Sequence, residues 1–256
     1  MTKSMMFGLG TMLLTSVVLH GCGGGGDSPS PTPTPASQAP IDPNLTVPVQ
    51  TAFANIVNKG LNQSFTISGS VDNSTPANPA PPTPIGGNGQ FTSGAATPAT
   101  LCGFSVSQAA QVVTGTTIAN GVSTPFATTS TTFYRSDNTI VGTQSAGEFF
   151  LFTPVTFPAT VRAGGTGVTG TGTEVNANCD QVSFGSNITG AYSVASDTAN
   201  SLLVTFVENE KNPFSSSETK SSTVYRIDTS GNVSLVSVTA TKSFLASVFQ
   251  TLIFTF

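Results

Sequence analysis

Histidine is almost missing from this chain: among 256 residues there is one, His20, and it lies close to the N-terminus. A Ser-His-Asp triad, a Cys-His pair and a histidine metal site all need a ring nitrogen that titrates near neutrality or donates a lone pair. Beyond residue 20 the chain has none to offer. Tryptophan is absent as well, and tyrosine is limited to Tyr134, Tyr192 and Tyr225, so the broad aromatic platforms that favour sugar rings are not available. Charge is scarce, at 8% of residues, with 8 basic against 12 acidic side chains. No basic patch exists to displace counterions from phosphate, which excludes nucleic acid as a partner. The paucity of charge does not signal disorder, because 38% of the chain is hydrophobic and much of the rest is Thr, Ser, Gly and Asn. A body of this composition should fold.

The apolar stretch from Met5 to Leu19 is interrupted by Gly8, Gly10, Thr11, Thr15 and Ser16, and falls short of the roughly 20 apolar residues of a spanning helix. Preceded by Lys3, it reads as an export signal. Leu19-His20-Gly21-Cys22 then resembles the lipobox of bacterial lipoproteins, with an aliphatic residue at −3, a small one at −1 and the cysteine that accepts diacylglycerol. The resemblance covers residues 1–22, and His20 departs from the family's small or uncharged aliphatic residue at −2. It implies a signal peptide over 1–21, cleavage in front of Cys22, and a lipid on Cys22 that holds the protein on a membrane. Gly23 is not the Asp that favours inner-membrane retention in enterobacterial lipoproteins, so the expected address is the cell envelope, at the outer membrane. Cleavage would discard His20 and Lys3, leaving 7 basic and 12 acidic side chains and no histidine.

Residues 22–47 read as a tether. Gly23 to Gly26 are flexible, and Ser28-Pro29-Ser30-Pro31-Thr32-Pro33-Thr34-Pro35 holds near polyproline II. Residues 48–256 remain as a single domain, long enough to bury a real core. Val49, Phe53, Ile56 and Val57 fall on one helical face, with Gly60 as the stop. From Phe65 the period becomes two, and strand-like runs follow near 65–71, 88–96, 100–107, 109–119, 122–135, 139–153, 165–176, 180–196, 200–210, 219–228, 232–242 and 248–256. Pro76 to Pro84 reads as a surface loop. Hairpin chemistry marks Asn120-Gly121, Ser136-Asp137-Asn138 and Asp228 to Asn232. The fold class expected is mainly β with one short N-terminal helix: an antiparallel sandwich or curled half-barrel first, with full closure or wrapping around the helix as the other ways to cover an apolar face.

With Cys22 assigned to lipid, Cys102 and Cys179 are expected to pair in an oxidising envelope. A closed loop of about 78 residues would contribute on the order of 4.5 kcal/mol in the chain-entropy description. Gly165-Thr166-Gly167-Val168-Thr169-Gly170 matches the dinucleotide pattern, but strand-like rather than helical sequence follows it, so chance in a glycine-rich chain explains the match. Ser217-Glu218-Thr219-Lys220 and Ser136-Asp137-Asn138 spell two motifs of penicillin-recognising enzymes in reversed order, without the third. Glu148, Glu174, Asp180, Glu208 and Glu210 are the carboxylates from which a histidine-free hydrolase would have to be built. No spacing pairs them, and Glu208, Glu210 and Lys211 read as a solvated hairpin tip.

Phenylalanine is abundant, with Phe149, Phe150 and Phe152 in one run and Phe244, Phe249, Phe254 and Phe256 closing the chain. These rings pack a core or line a cavity for an apolar ligand. Val248, Leu252, Phe254 and Phe256 also resemble the last strand of outer-membrane barrels, with Gln250 breaking the pattern. The resulting expectation is a non-enzymatic binding or structural module without cofactor or metal, joined to the membrane through Cys22, its partner a protein or an apolar ligand. A carrier of apolar ligand is the second reading, and a carboxylate-dependent hydrolase the third.

Overall fold

The computed structural model describes residues 42–72, 81–145, 148–153, 157–183, 185–212, 217–244 and 247–256. The expected signal peptide, Cys22, most of the expected tether and most of the expected Pro76–Pro84 loop lie outside these residues. The described chain is mainly antiparallel β with one helix, and its sheet closes into a barrel of 12 strands. In chain order the elements are β1 (Thr46–Val47), α1 (Val49–Lys59), β2 (Leu61–Val71), β3 (Thr83–Ser93), β4 (Thr97–Leu101), β5 (Phe104–Ala119), β6 (Val122–Tyr134), β7 (Ile140–Ser145) and β8 (Glu148–Phe152). They continue with β9 (Val161–Arg162), β10 (Thr166–Val175), β11 (Asn187–Thr198), β12 (Ser201–Lys211), β13 (Ser217–Asp228), β14 (Val233–Phe244) and β15 (Ser247–Thr255).

Neighbouring strands in sequence pair around the wall, β15 returns to β2, and the ring closes where β3 pairs with β5 from Ile85–Ala119 to Ser93–Gln111. β4 stands outside the ring as a short hairpin partner of β5. Complete closure goes one step past the sandwich or half-barrel, and it leaves no open edge along the twelve wall strands.

The alternation in sequence decides which side faces in. On β2, Phe65 and Ile67 are buried while Ser64, Thr66 and Ser68 are exposed, and on β11 Ile188 and Val194 are buried between exposed Thr189, Ala191 and Ser193. On these two strands the large apolar side chains turn inward and Ser/Thr covers the outside, the reverse of the alternation in a membrane-spanning barrel, while Ile118, Val168 and Ile253 are exposed on other strands. One interior row runs Phe65, Gly89, Gly115, Phe126 across four strands. A Cβ on Gly89 would come within 2.5 Å of the Phe65 ring, and one on Gly115 within 2.8 Å of Phe126. The two glycines let the two rings lie over the sheet.

Helix α1 closes one mouth of this barrel. Its N-terminal side donates from Gln50 Nε2 to the Phe157 carbonyl at 2.7 Å and from Asn55 Nδ2 to the Gly231 carbonyl at 3.0 Å, and the Val57 carbonyl accepts from Ala96 N at 2.8 Å. Antiparallel pairing puts these three connections at the same end. Val49, Ala52 and Val57 are buried, each valine contributing about 1.5–3 kcal/mol. Gly60, at φ 74°, ends the helix as expected, with its N–H on the Ile56 carbonyl.

The Asn120-Gly121 turn joins β5 to β6 with both residues at positive φ, as the sequence indicates. Three strand-like runs need correction. Residues 100–107 hold a two-residue turn at Cys102-Gly103, with φ of 51° and 80°. Residues 139–153 form two strands, β7 and β8. The 180–196 run becomes strand only at Asn187, after a turn in which Asn176 Oδ1 accepts from Asn178 N and Asp180 N.

The β4–β5 hairpin folds over the outside of β6 to β8, where Leu101 packs with Phe133 and Val141 beside Phe149 and Leu151. Cys102, at its tip, stands at disulfide distance from Cys179 in the turn after β10, with Cα atoms 5.8 Å apart.

Candidate ligand site in the barrel lumen

Strand parity builds the site. Leu202 and Val204 on β12 are fully buried, so Phe206, Glu208 and Glu210, at the same parity, also face the lumen. This overturns the reading of Glu208 and Glu210 as a solvated tip. Lys211, of opposite parity, is exposed and lies 3.8 Å from Glu218 Oε1. The signal that identifies the two inward carboxyls is already present in Leu202-Leu203-Val204-Thr205-Phe206.

Glu208 sits in the middle of the barrel. Gly190 opposes it on β11 and Ser221 on β13, and the Ser221 hydroxyl donates to Glu208 Oε2 at 3.3 Å. Burial pushes the carboxyl up to about 7, against a smaller opposing effect of Ser221. Around it, Phe53 of α1 inserts among Phe157, Phe206 and Tyr225, with ring centroids at 5.3, 5.4 and 5.6 Å. Phe206 meets Tyr225 at 5.8 Å, edge to face. Burial raises the Tyr225 phenol above its ordinary range, and Tyr134 and Glu208 add to the rise.

Among the described residues, two small cavities lie in this packing. One, of about 90 Å³, is walled by Phe53, Phe152, Phe157, Phe206, Glu208 and Tyr225, among others. The other, of about 70 Å³, reaches toward Phe91 and Tyr134. Phe53, Ile140, Glu208 and Tyr225 border both. The observed volume is far below the roughly 300–1,000 Å³ of a drug-sized pocket.

The opposite mouth is polar. Glu174 Oε2 accepts from Ser186 N at 3.0 Å. Burial pushes Glu210 up to about 7; Ser186 and the Lys242 ammonium favour its charge, while Glu174 opposes it. Among the described residues, neither Ser186 Oγ nor Glu210 Oε2 completes a hydrogen bond, and neither does Nε2 of Gln250, which pairs with Lys242 across β14 and β15. Glu174, Glu208 and Glu210 thus share the interior, and Glu148, at the parity of the buried Phe150 and Phe152, turns the same way at the start of β8, whereas Asp180 lies in the turn beside Cys179.

The other motifs fall apart in space. Gly165 to Gly170 leads into β10 with no helix behind it, and Ser217 to Lys220 starts β13. Ser136 to Asn138 is the β6–β7 turn, where Asp137 Oδ1 accepts from the Thr139 amide and hydroxyl. A groove of about 430 Å³ on the outer wall runs beside Phe104 and Val106. No family model matches the chain, and comparisons with curated proteins and with solved structures give no match.

Proposed function

We propose that this chain is a lipid-anchored envelope protein whose barrel is a non-enzymatic binding module for a small, mostly apolar ligand held in the lumen. The observation that carries the reading is the cavity of about 90 Å³ among phenyl rings, with one carboxyl on its wall. In a wall built only for stability, Glu208 would give way to an apolar residue, because an enclosed carboxyl with one long hydrogen bond is costly to desolvate. The lumen is too small for a sugar polymer, which favours binding over glycoside hydrolysis by Glu208 and Glu210. It is also too small for an acyl chain while Phe53 stays seated.

Native mass spectrometry of protein purified from the envelope, followed by organic extraction, tests the reading. The expected result is one small organic ligand per chain, lost from a Thr223→Phe variant that fills the cavity from β13. An empty lumen that also refuses small apolar probes would leave a structural envelope role instead. Mass spectrometry of the mature N-terminus should show diacylated Cys22; a start elsewhere would remove the anchor.

A further inference from the structure

This inference rests on the lumen reading and narrows the ligand's chemistry. Glu208 brings a carboxyl into contact with both interior cavities, and neither cavity is lined by lysine or arginine. Lys242 lies toward the polar mouth, where its charge acts on Glu210. Among the described residues, Glu208 accepts one hydrogen bond, the long one from Ser221, so most of its acceptor capacity points into the cavities.

The remaining wall suits a cation. Phe53, Phe206 and Tyr225 stand edge to face around the carboxyl, with centroids 5.4–5.8 Å apart, and ring faces attract an ammonium more strongly when it is desolvated. Gly190 lies directly across from Glu208, and the Thr169 side chain occupies the space it leaves, its hydroxyl close to where a Cβ would stand, so a hydroxyl able to accept from an ammonium borders the same cavity. A volume of about 90 Å³ accepts roughly six to nine water-sized groups, at about 10–15 Å³ each. We infer that the lumen selects a small organic amine, its ammonium paired with Glu208 and its apolar part among Phe53, Phe152 and Phe206. A neutral alcohol could also donate to Glu208, but a charge-assisted hydrogen bond is about twice as strong as a neutral one, so the amine should be favoured.

Three probes of similar size separate the possibilities: n-pentylamine, n-pentanol and n-hexane. Ligand-detected NMR titration would use the full chain carrying Cys22→Ala, which needs no detergent, and the same chain with Glu208→Gln added. The expected result is an amine affinity at least tenfold above that of the alcohol and the alkane. E208Q should lower amine affinity tenfold or more while leaving the other two within about threefold, which also shows that the variant keeps its lumen. Equal affinities for all three probes, or an amine preference that survives E208Q, would overturn the amine inference and leave the apolar lumen standing. Failure of every probe to bind would overturn both.

Discussion

A carboxyl enclosed by phenyl rings keeps its proton longer than one in water, and Glu208 and Glu210 should make the whole protein feel this. Both are pushed up to about 7 from an ordinary value of 4.5. Below pH 4.5 the folded and unfolded forms are equally protonated at these sites. Between about 4.5 and 7 the unfolded chain gives up the protons while the barrel still holds them, so stability falls as pH rises, and it stays lost above 7. Asp137, Asp197 and Asp228 are held below their usual range by Thr139, Arg226 and Asn232 respectively, and so act in the opposite sense only at lower pH. Thermal unfolding followed by circular dichroism should therefore give a higher Tm at pH 5 than at pH 8. Glu208→Gln should raise the value at pH 8 and shrink the gap, by on the order of 3 kcal/mol for a shift of this size. A protein more stable at pH 8, with a gap unchanged in E208Q, would contradict this. The inward direction of both carboxyls was legible in the alternation from Leu202 onward. What the residues alone did not show was which neighbours would surround them: Phe53 comes from a helix 155 positions earlier, and Tyr225 from the next strand.

At the scale of elements, α1 is a stopper that carries an aromatic knob, Phe53, into the lumen. Phe53 fills the space between the two cavities, so Phe53→Ala should cost about 3 kcal/mol, toward the lower end of large-to-small changes at phenylalanine. The same variant should join the cavities and admit larger apolar guests. Urea unfolding would report the first effect and competition between n-hexane and naphthalene the second; a variant that loses stability without gaining naphthalene binding would mean the space collapses. The helix was readable from Val49, Phe53, Ile56 and Val57 and from Gly60. Hairpins were readable where Asn-Gly or Asp/Asn chemistry marks them. The β4–β5 turn was not, because Cys102 is a residue type that seldom adopts φ of 51°, and only Gly103 marked the place. The 139–153 run hid its division into two strands because strand-forming residues stand on both sides, from Ile140 to Thr143 and from Phe149 to Phe152.

For the molecule as a whole, what was hidden was closure. A sandwich and a barrel place the same alternation on every strand, and the pairing that separates them here joins β3 to β5 across the intervening β4. No local pattern encodes that skip. The Cys102–Cys179 pair belongs to the same scale, since it clamps the folded-over hairpin against the turn after β10 and spans 77 positions. Thiol labelling of unfolded, unreduced protein should modify neither cysteine. Reduction should lower Tm by an amount consistent with up to about 4.5 kcal/mol while the β circular dichroism signal persists, because Leu101, Phe133 and Val141 still bury the hairpin. Labelling of both thiols before reduction would refute the bridge.

The short pairing of β1 with β9, two residues long at Thr46–Arg162 and Val47–Val161, lies between the N-terminal segment and α1. A force applied along that segment would meet Leu45, packed against the core around Val47, and then those two residue pairs, and the next part to take the load would be the helix and its Phe53 knob. The twelve-stranded wall, held by long ladders, would bear it last. Pulling on the leading segment would therefore load the stopper before it strained the vessel.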